Sequence, residues 1–357
     1  MESRFAKILT ALVMAFIATL QTGRACSVPV FRYALEHWPA DAFELLVLHQ
    51  GPLTAAQKAE IAALRPESAN LSITEVDLND EISPDLKAVA SMVAKKPLPQ
   101  LVMRFPSSSG KVEPILSLSL AEAKTRPALW TSPARETIAD RIGQGESAVW
   151  VMIESGNKER DDATASLIET RLEYLMSVLS LPKLDELDIA NGLVSIAEED
   201  LRLDFSLLRL SRGDPAEHDF IDMLLHTERG LEQVRDPIVV PVFGRGRALY
   251  ALVGDGIRAE TIEQAASFLI GKCSCQVKEK NPGTDLLFNT DWSNLIKAGA
   301  LTERALPSLA ELTKNIPTPE TVTFTSTPEA APMQPIWPWI VGALVVLMGL
   351  TRWMRGK

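Results

Sequence analysis

Phe43 to Leu53, FELLVLHQGPL, is an apolar run that reads as a strand, breaks at a Gly-Pro turn and opens a helix. Thr54-Ala55-Ala56-Gln57 follows as a capping box, so the Thr54 hydroxyl and the Gln57 amide satisfy free N–H groups at a helix start. That helix is expected to run to about Leu64. Gln50 and Leu53, which flank Gly51-Pro52, offer no nucleophile.

Working outward, a second strand is expected over Leu71 to Leu78. Ser83-Pro84, an N-cap with proline at the first helical position, opens a helix with Leu86, Val89, Ala90 and Val93 on one face. Pro97-Leu98-Pro99 leads into a strand at Leu101 to Phe105. A turn at Ser107 to Gly110, a strand at about Ile115 to Leu118 and a helix around Pro133 to Ile142 complete the order βαβαββα.

The order then appears again. Ala148 to Ile153 reads as a strand, Ile168, Leu172, Leu175 and Leu179 mark a helix face, and Phe205 to Leu210 reads as the second strand. Asp214-Pro215 falls where Ser83-Pro84 fell, with Glu217 closing a capping box and Phe220, Met223 and Leu224 giving the apolar face. Asp236-Pro237 precedes strands at Ile238 to Phe243 and Ala248 to Val253, joined by a Gly244 to Gly246 turn, and a helix at Thr261 to Ile270. The halves differ by an insertion at about Leu181 to Leu203.

Over residues 40 to 272 this pattern resembles the thioredoxin fold, with QGPL standing where thioredoxins carry CGPC. The resemblance implies two tandem thioredoxin-like domains without their cysteines. It further implies that Pro99 and Pro237 match the family's cis proline beside the active-site turn, so one or both are expected to be cis. His49, Gln50, Pro99 and Pro237 are then the candidate groove residues. In general character the chain also resembles exported, membrane-anchored bacterial proteins.

The two ends point to a location. Residues 1–25 read as an export signal, with Arg4 and Lys7 ahead of an apolar run from Ile8 to Leu20. Cleavage after Ala25 would leave Cys26 first; Gly23 and Arg24 fit a lipoprotein signal poorly. Residues 336–351, with tryptophans at both edges, have about the minimum length of a spanning helix. Arg352, Arg355 and Lys357 place the 352–357 tail in the cytoplasm. A Pro/Thr-rich stalk occupies 313–335 and cannot build a core. The expected division is therefore a signal at 1–25, domains at 26–145 and 146–312, the stalk, the span and the tail, with the body on the periplasmic or extracytoplasmic side.

The composition, 46% hydrophobic and 23% charged, is that of a globular chain. Of the net charge of −10, residues 1–25 carry +2 and the tail +3, leaving −15 on the body. An acidic body argues against nucleic acid and anionic lipid as partners.

Chemistry is thinly marked. Cys273 and Cys275 form a CxC pair and Cys26 is the third cysteine. The three can make a structural disulfide through Cys26, exchange disulfides within the pair, or hold Cu(I). No GxSxG or HExxH is present, Gly244 to Gly246 joins strands and is no phosphate loop, and no cofactor is implied apart from the copper alternative. Asn70-Leu71-Ser72 matches a glycosylation acceptor. Two readings follow: a tethered, redox-inactive module that binds an envelope or membrane protein, or a thiol-exchange or copper function at Cys273 and Cys275.

Overall fold

The computed structural model describes residues 26–303 apart from 112, 127–128 and 274–276. The signal, the stalk, the apolar 336–351 segment, the tail and Cys275 lie outside these residues. Among the described residues no helix is long and apolar enough to cross a membrane.

The chain is a mixed α/β structure with two sheets. After α1 (Val30–His37), the first sheet is assembled from β1 (Phe43–His49), β2 (Leu71–Asp77), β3 (Gln100–Arg104) and β4 (Leu116–Ser119), in the spatial order β2-β1-β3-β4. β1 runs parallel to β2, with Phe43 opposite Leu71 and His49 opposite Asp77, and antiparallel to β3, with Leu45 opposite Met103. The helices are α2 (Ala55–Ala63), α3 (Pro84–Val93), α4 (Leu120–Lys124) and α5 (Pro133–Gly143). The Thr54 capping box and the Ser83 cap with its following proline form as expected.

β1 is apolar on both faces because both are covered. Leu46 and Leu48 meet Val89 and Val93 of α3, while Phe43, Leu45 and Val47 point into the larger core with α2, α4 and α5.

The second sheet shares the order of the first sheet's four strands but has six, and the strand expected over Ala248 to Val253 is broken into two short pieces. β5 (Ala148–Ile153) is parallel to β6 (Phe205–Leu210) and antiparallel to β7 (Ile238–Phe243), which pairs with β8 (Arg247–Ala248) and β9 (Leu252–Val253). The helices of this half are α6 (Lys158–Val178), α7 (Glu186–Ala190), α8 (His218–Leu225) and α9 (Ala259–Ile270). Ala148, Trp150 and Met152 pack toward α6 and α9; Val149, Val151 and Ile153 pack toward α8 and share one core with the first half. The described residues accordingly fall in a single compact unit.

The two ends of this body cross over. The lead-in before β1 packs on the second half: Val28, Val30, Phe31 and Trp38 sit in its core, and Pro29 bridges to Lys272. Arg245 donates to the Leu35 and Glu36 carbonyls at 2.8 and 3.0 Å, closing the C-terminus of α1. Gly244 has φ +57°, and a Cβ there would stand 2.8 Å from that of Ala34, so the close approach requires glycine. Conversely, β10 (Thr284–Asp285) joins β8, and the chain then reaches the first half. Leu286, Leu287 and Phe288 enter the shared core, Asn289 bridges to Ala69, and α10 (Trp292–Glu303) lies on α5. Residues 284–288 still contact the second half, where the Leu286 N–H donates to the Gly246 carbonyl at 2.9 Å and Phe288 meets Phe220, so this segment ties the two halves together.

One local reading is corrected and one motif match is ruled out. Asp214 and Glu217 do not box their own helix; Glu217 is buried and accepts from the Ala134 N–H at 2.7 Å, capping α5 across the seam. The Asn70 amide donates to the Asp41 and Leu286 carbonyls and accepts from the Phe288 N–H, leaving no N–H for a glycan.

Candidate functional site

Parallel pairing brings the C-terminal ends of β1 and β2 to one edge of the first sheet, and the antiparallel β3 starts at that edge. The Gln50–Thr54 turn, the segment after β2 and the loop entering β3 therefore converge. Leu98–Pro99 is a cis peptide bond; Asp236–Pro237 is trans.

A cleft of about 370 Å³ opens here. Its walls are largely apolar, from Leu78, Ile82, Ala90, Val93 and Leu98, and its charged lining groups are Lys87 and Lys96. Gln50 stands exposed at one end and donates to Asn79 Oδ1 at 3.1 Å. Ser91 also lines the cleft, but its hydroxyl donates to the Ala88 carbonyl at 2.6 Å. Such walls can hold an apolar segment; they supply neither a general base nor an activated nucleophile.

The turn is held from below. Gly51, at φ +75°, donates its N–H to Asp77 Oδ1 at 3.1 Å, and Asn79 donates to the same oxygen at 2.9 Å. These N–H bonds, with His49 nearby, hold the Asp77 carboxyl below the usual carboxylate range. His49 is buried, with Nδ1 2.8 Å from the Gly51 carbonyl. Because a carbonyl only accepts, Nδ1 carries the proton in that contact, and the ring serves the turn and does not line the cleft. Leu53 is 9% exposed and points into the shared core.

Register identifies the matching edge of the second sheet. Gln100 follows Pro99 and faces Leu48; Ile238 follows Pro237 and faces Ile153. Gln50, Gly51 and Leu53 then correspond to Ser155, Gly156 and Lys158. Gly156 also has positive φ, at +91°, but its N–H goes to Asp161 Oδ2 at 3.0 Å, and Asp161 Oδ1 accepts from the Ser155 N–H and hydroxyl at 2.8 Å each. Ion pairs cross this edge: Arg209 joins Glu154 at 2.7 Å and Asp162 at 2.8 Å, and Arg160 meets Asp236. Arg212 donates to the Glu154 carbonyl at 2.8 Å. Burial, then the neighbouring Arg235, pushes the Arg212 guanidinium down. Pro237 itself is buried.

The cysteines lie elsewhere. Cys26 is 4% and Cys273 1% exposed, both in the second half's core beside Tyr33, and the Cys273 N–H donates to the Val28 carbonyl at 2.9 Å. Burial pushes the Cys26 thiol up, which lowers its thiolate fraction and its nucleophilicity. Among the described residues no group of three or more His, Cys, Asp or Glu is placed to hold a metal.

A smaller cavity of about 150 Å³ is polar. In it Asp285 accepts from Arg247 at 2.8 Å and from Lys278, and Asp41 pairs with Lys278 at 2.8 Å. Burial alone would raise the Asp41 carboxyl, but Lys278 and Ser108 hold it below its ordinary value. With its two cations matched by two carboxylates, this cluster fastens the 278–285 segment to the linker before β1.

Of the residues the sequence reading singled out, Gln50 lines the cleft and Pro99 follows the lining Leu98, while the apolar walls were missed. Leu98, a 38% exposed apolar residue next to Pro99, was the available signal. A scan against protein-family models finds no match for the chain, and a search of curated proteins finds none either.

Proposed function

We propose that the chain is an exported, membrane-tethered binding module built from two thioredoxin-like halves, in which the first half's cleft takes up an apolar segment of an envelope or membrane protein without redox chemistry. The observation that carries this reading is the open cleft at the β1–α2 turn. Its walls are largely apolar, the peptide bond from the lining Leu98 to Pro99 is cis, and Gln50 and Leu53 occupy the two positions where thioredoxins carry sulfur. The order shared by the four strands of the first sheet and their counterparts in the second supports the thioredoxin-like assignment. The apolar segment at 336–351 and the 1–25 signal motivate the tether and the export. Burial of Cys26 and Cys273 favours a structural role for these cysteines over thiol exchange or copper transfer.

The test is a photo-crosslinking residue at Leu98 in the native host, with the exposed Glu67 as control. A discrete adduct at Leu98 and not at Glu67, lost on Ile82→Glu, is expected. Equal labelling at both positions, or none, would overturn the docking role.

A further inference from the structure

The insertion that sets the second half apart from the first lies against the start of the body. Leu184 and Val194 are buried in the same core as Cys26, Val28 and Tyr33, and His37 Nε2 stands 3.0 Å from the Leu193 carbonyl. Ser27 is gripped most closely. One oxygen of Asp188 on α7, Oδ2, accepts from both the Ser27 N–H and the Ser27 hydroxyl at 2.6 Å each, and that hydroxyl accepts from the Asp185 N–H at 2.7 Å. From the other side the Val30 N–H donates to the Gly271 carbonyl at 3.0 Å, so the segment is held between α7 and the end of α9.

Asp188 is half-buried, and among the described residues no basic side chain pairs with it. Covalent geometry keeps the Cys26 nitrogen within about 4 Å of the Ser27 nitrogen, which this carboxylate already touches. Its charge reaches Cys26: burial pushes the Cys26 thiol up, and Asp188 adds to that push. The other charged groups on the neighbouring elements are the exposed Asp185 and Glu186, which act in the same sense as Asp188, the exposed Lys183 and Lys272, which oppose it, and the matched Arg32–Glu36 pair on α1.

We propose that Asp188 receives the chain end that export creates: hydrolysis of the Ala25–Cys26 bond frees the Cys26 α-amine, which pairs as an ammonium with the Asp188 carboxylate and fastens the lead-in to the second half. This rests on the reading of residues 1–25 as a cleaved export signal. A signal peptidase adds water across that bond; Ala25 leaves as a carboxylate with the signal, and the amine left on Cys26 takes up a proton. While the signal is attached the Cys26 nitrogen is a neutral amide, and Asp188 has only Ser27 to hold. Processing thus adds a charge-assisted contact at a place already fixed by the next residue, where little further freedom is lost. The lead-in carries Val28, Val30, Phe31 and Trp38 into the second core, so the insertion acts as a clasp that closes on the processed chain.

The test uses the full processed chain recovered from host membranes in mild nonionic detergent. Mass spectrometry of the N-terminal peptide is expected to find Cys26 first and without lipid. Trace acetylation across pH, in a Cys26→Ala background that removes the competing thiol, then titrates the α-amine. It should lie about one unit above the ordinary value of about 7.7–8.0. Asp188→Asn should lower it by at least that unit, so that labelling at pH 7 rises about tenfold, whereas Ser27→Ala, which keeps the carboxylate, should leave it raised. An Asp188 that merely caps Ser27 would not move the amine. A titration at or below about 8 in the parent chain, or one unmoved by Asp188→Asn, would overturn the pairing and leave the export reading standing. A retained signal, or a chain that starts at another residue, would sink the pairing together with cleavage after Ala25.

Discussion

The ends of β1 and β5 occupy the same place in the four-strand order that the two sheets share, and both turns carry a glycine of positive φ whose N–H is held by a carboxylate. The carboxylates come from different sources. In the first half Asp77 reaches up from the end of β2 and leaves the space above the turn to apolar walls. In the second, Asp161 folds back from the first turn of α6, and Arg160, Arg209 and Arg212 lace the rest of the edge to its carboxylates and carbonyls. One topological position thus gives an open apolar cleft or a polar closure, according to which side chains surround it.

The contrast can be broken most forcefully through the lead-in. Phe31 lies before the first half in sequence but in the core of the second. Phe31→Ala should cost about 3–5 kcal/mol in denaturant unfolding, with hydrogen-exchange protection falling first in α9 and β7 and last in α3. Early loss in α3 would contradict the crossed packing.

Asp161→Ala should cost about 2–3 kcal/mol, because it removes a buried carboxylate that accepts from the Ser155 N–H and hydroxyl and the Gly156 N–H. The matching Asp77→Ala, at a more exposed carboxylate, should cost less. Equal losses would erase the distinction between a closed and an open edge.

Gln50→Cys with Leu53→Cys should cost up to about 2 kcal/mol when reduced, since Leu53 is buried, and should form an internal disulfide on oxidation, read by loss of both thiols to alkylation. Failure to close would count against thioredoxin-like spacing at this turn.

The effect that appears only at high pH is a stability slope at the seam. Burial pushes the Lys111 amine down to about 8 from 10.5, with Glu228 opposing, while Nζ donates to the His226 carbonyl at 3.2 Å and to that of Thr227. Between these two values the unfolded chain binds the extra proton, so stability should rise with pH from about 8 toward 10.5. Below 8 the penalty is constant. Lys111→Met should remove this contribution; an unchanged slope would show that Lys111 does not carry it.

Much of the fold was legible along the chain. The strand at Phe43, the caps at Thr54 and Ser83, the matching element orders and the proline before β3 rest on periodicity or on hydrogen bonds spanning a few residues, which the local sequence specifies. Gln50 and Pro99 could be placed at the cleft for the same reason. The second-half cap was misread because Glu217 has two helix starts within reach, its own and that of α5, and only the packing selects the distant one.

By itself the sequence determined that β1 and β5 would be strands, that each half would run β-α-β-α-β up to its third strand, and that the turn at Gln50 would carry no sulfur. Tertiary structure alone decided that the lead-in would cover the second sheet, that Leu286 to Phe288 would enter the core shared by both, and that one strand edge would stay open. The reason is physical: an apolar face specifies that it must be covered and says nothing of which distant segment covers it. That choice is made by shape and polar satisfaction once all the faces compete at the same time.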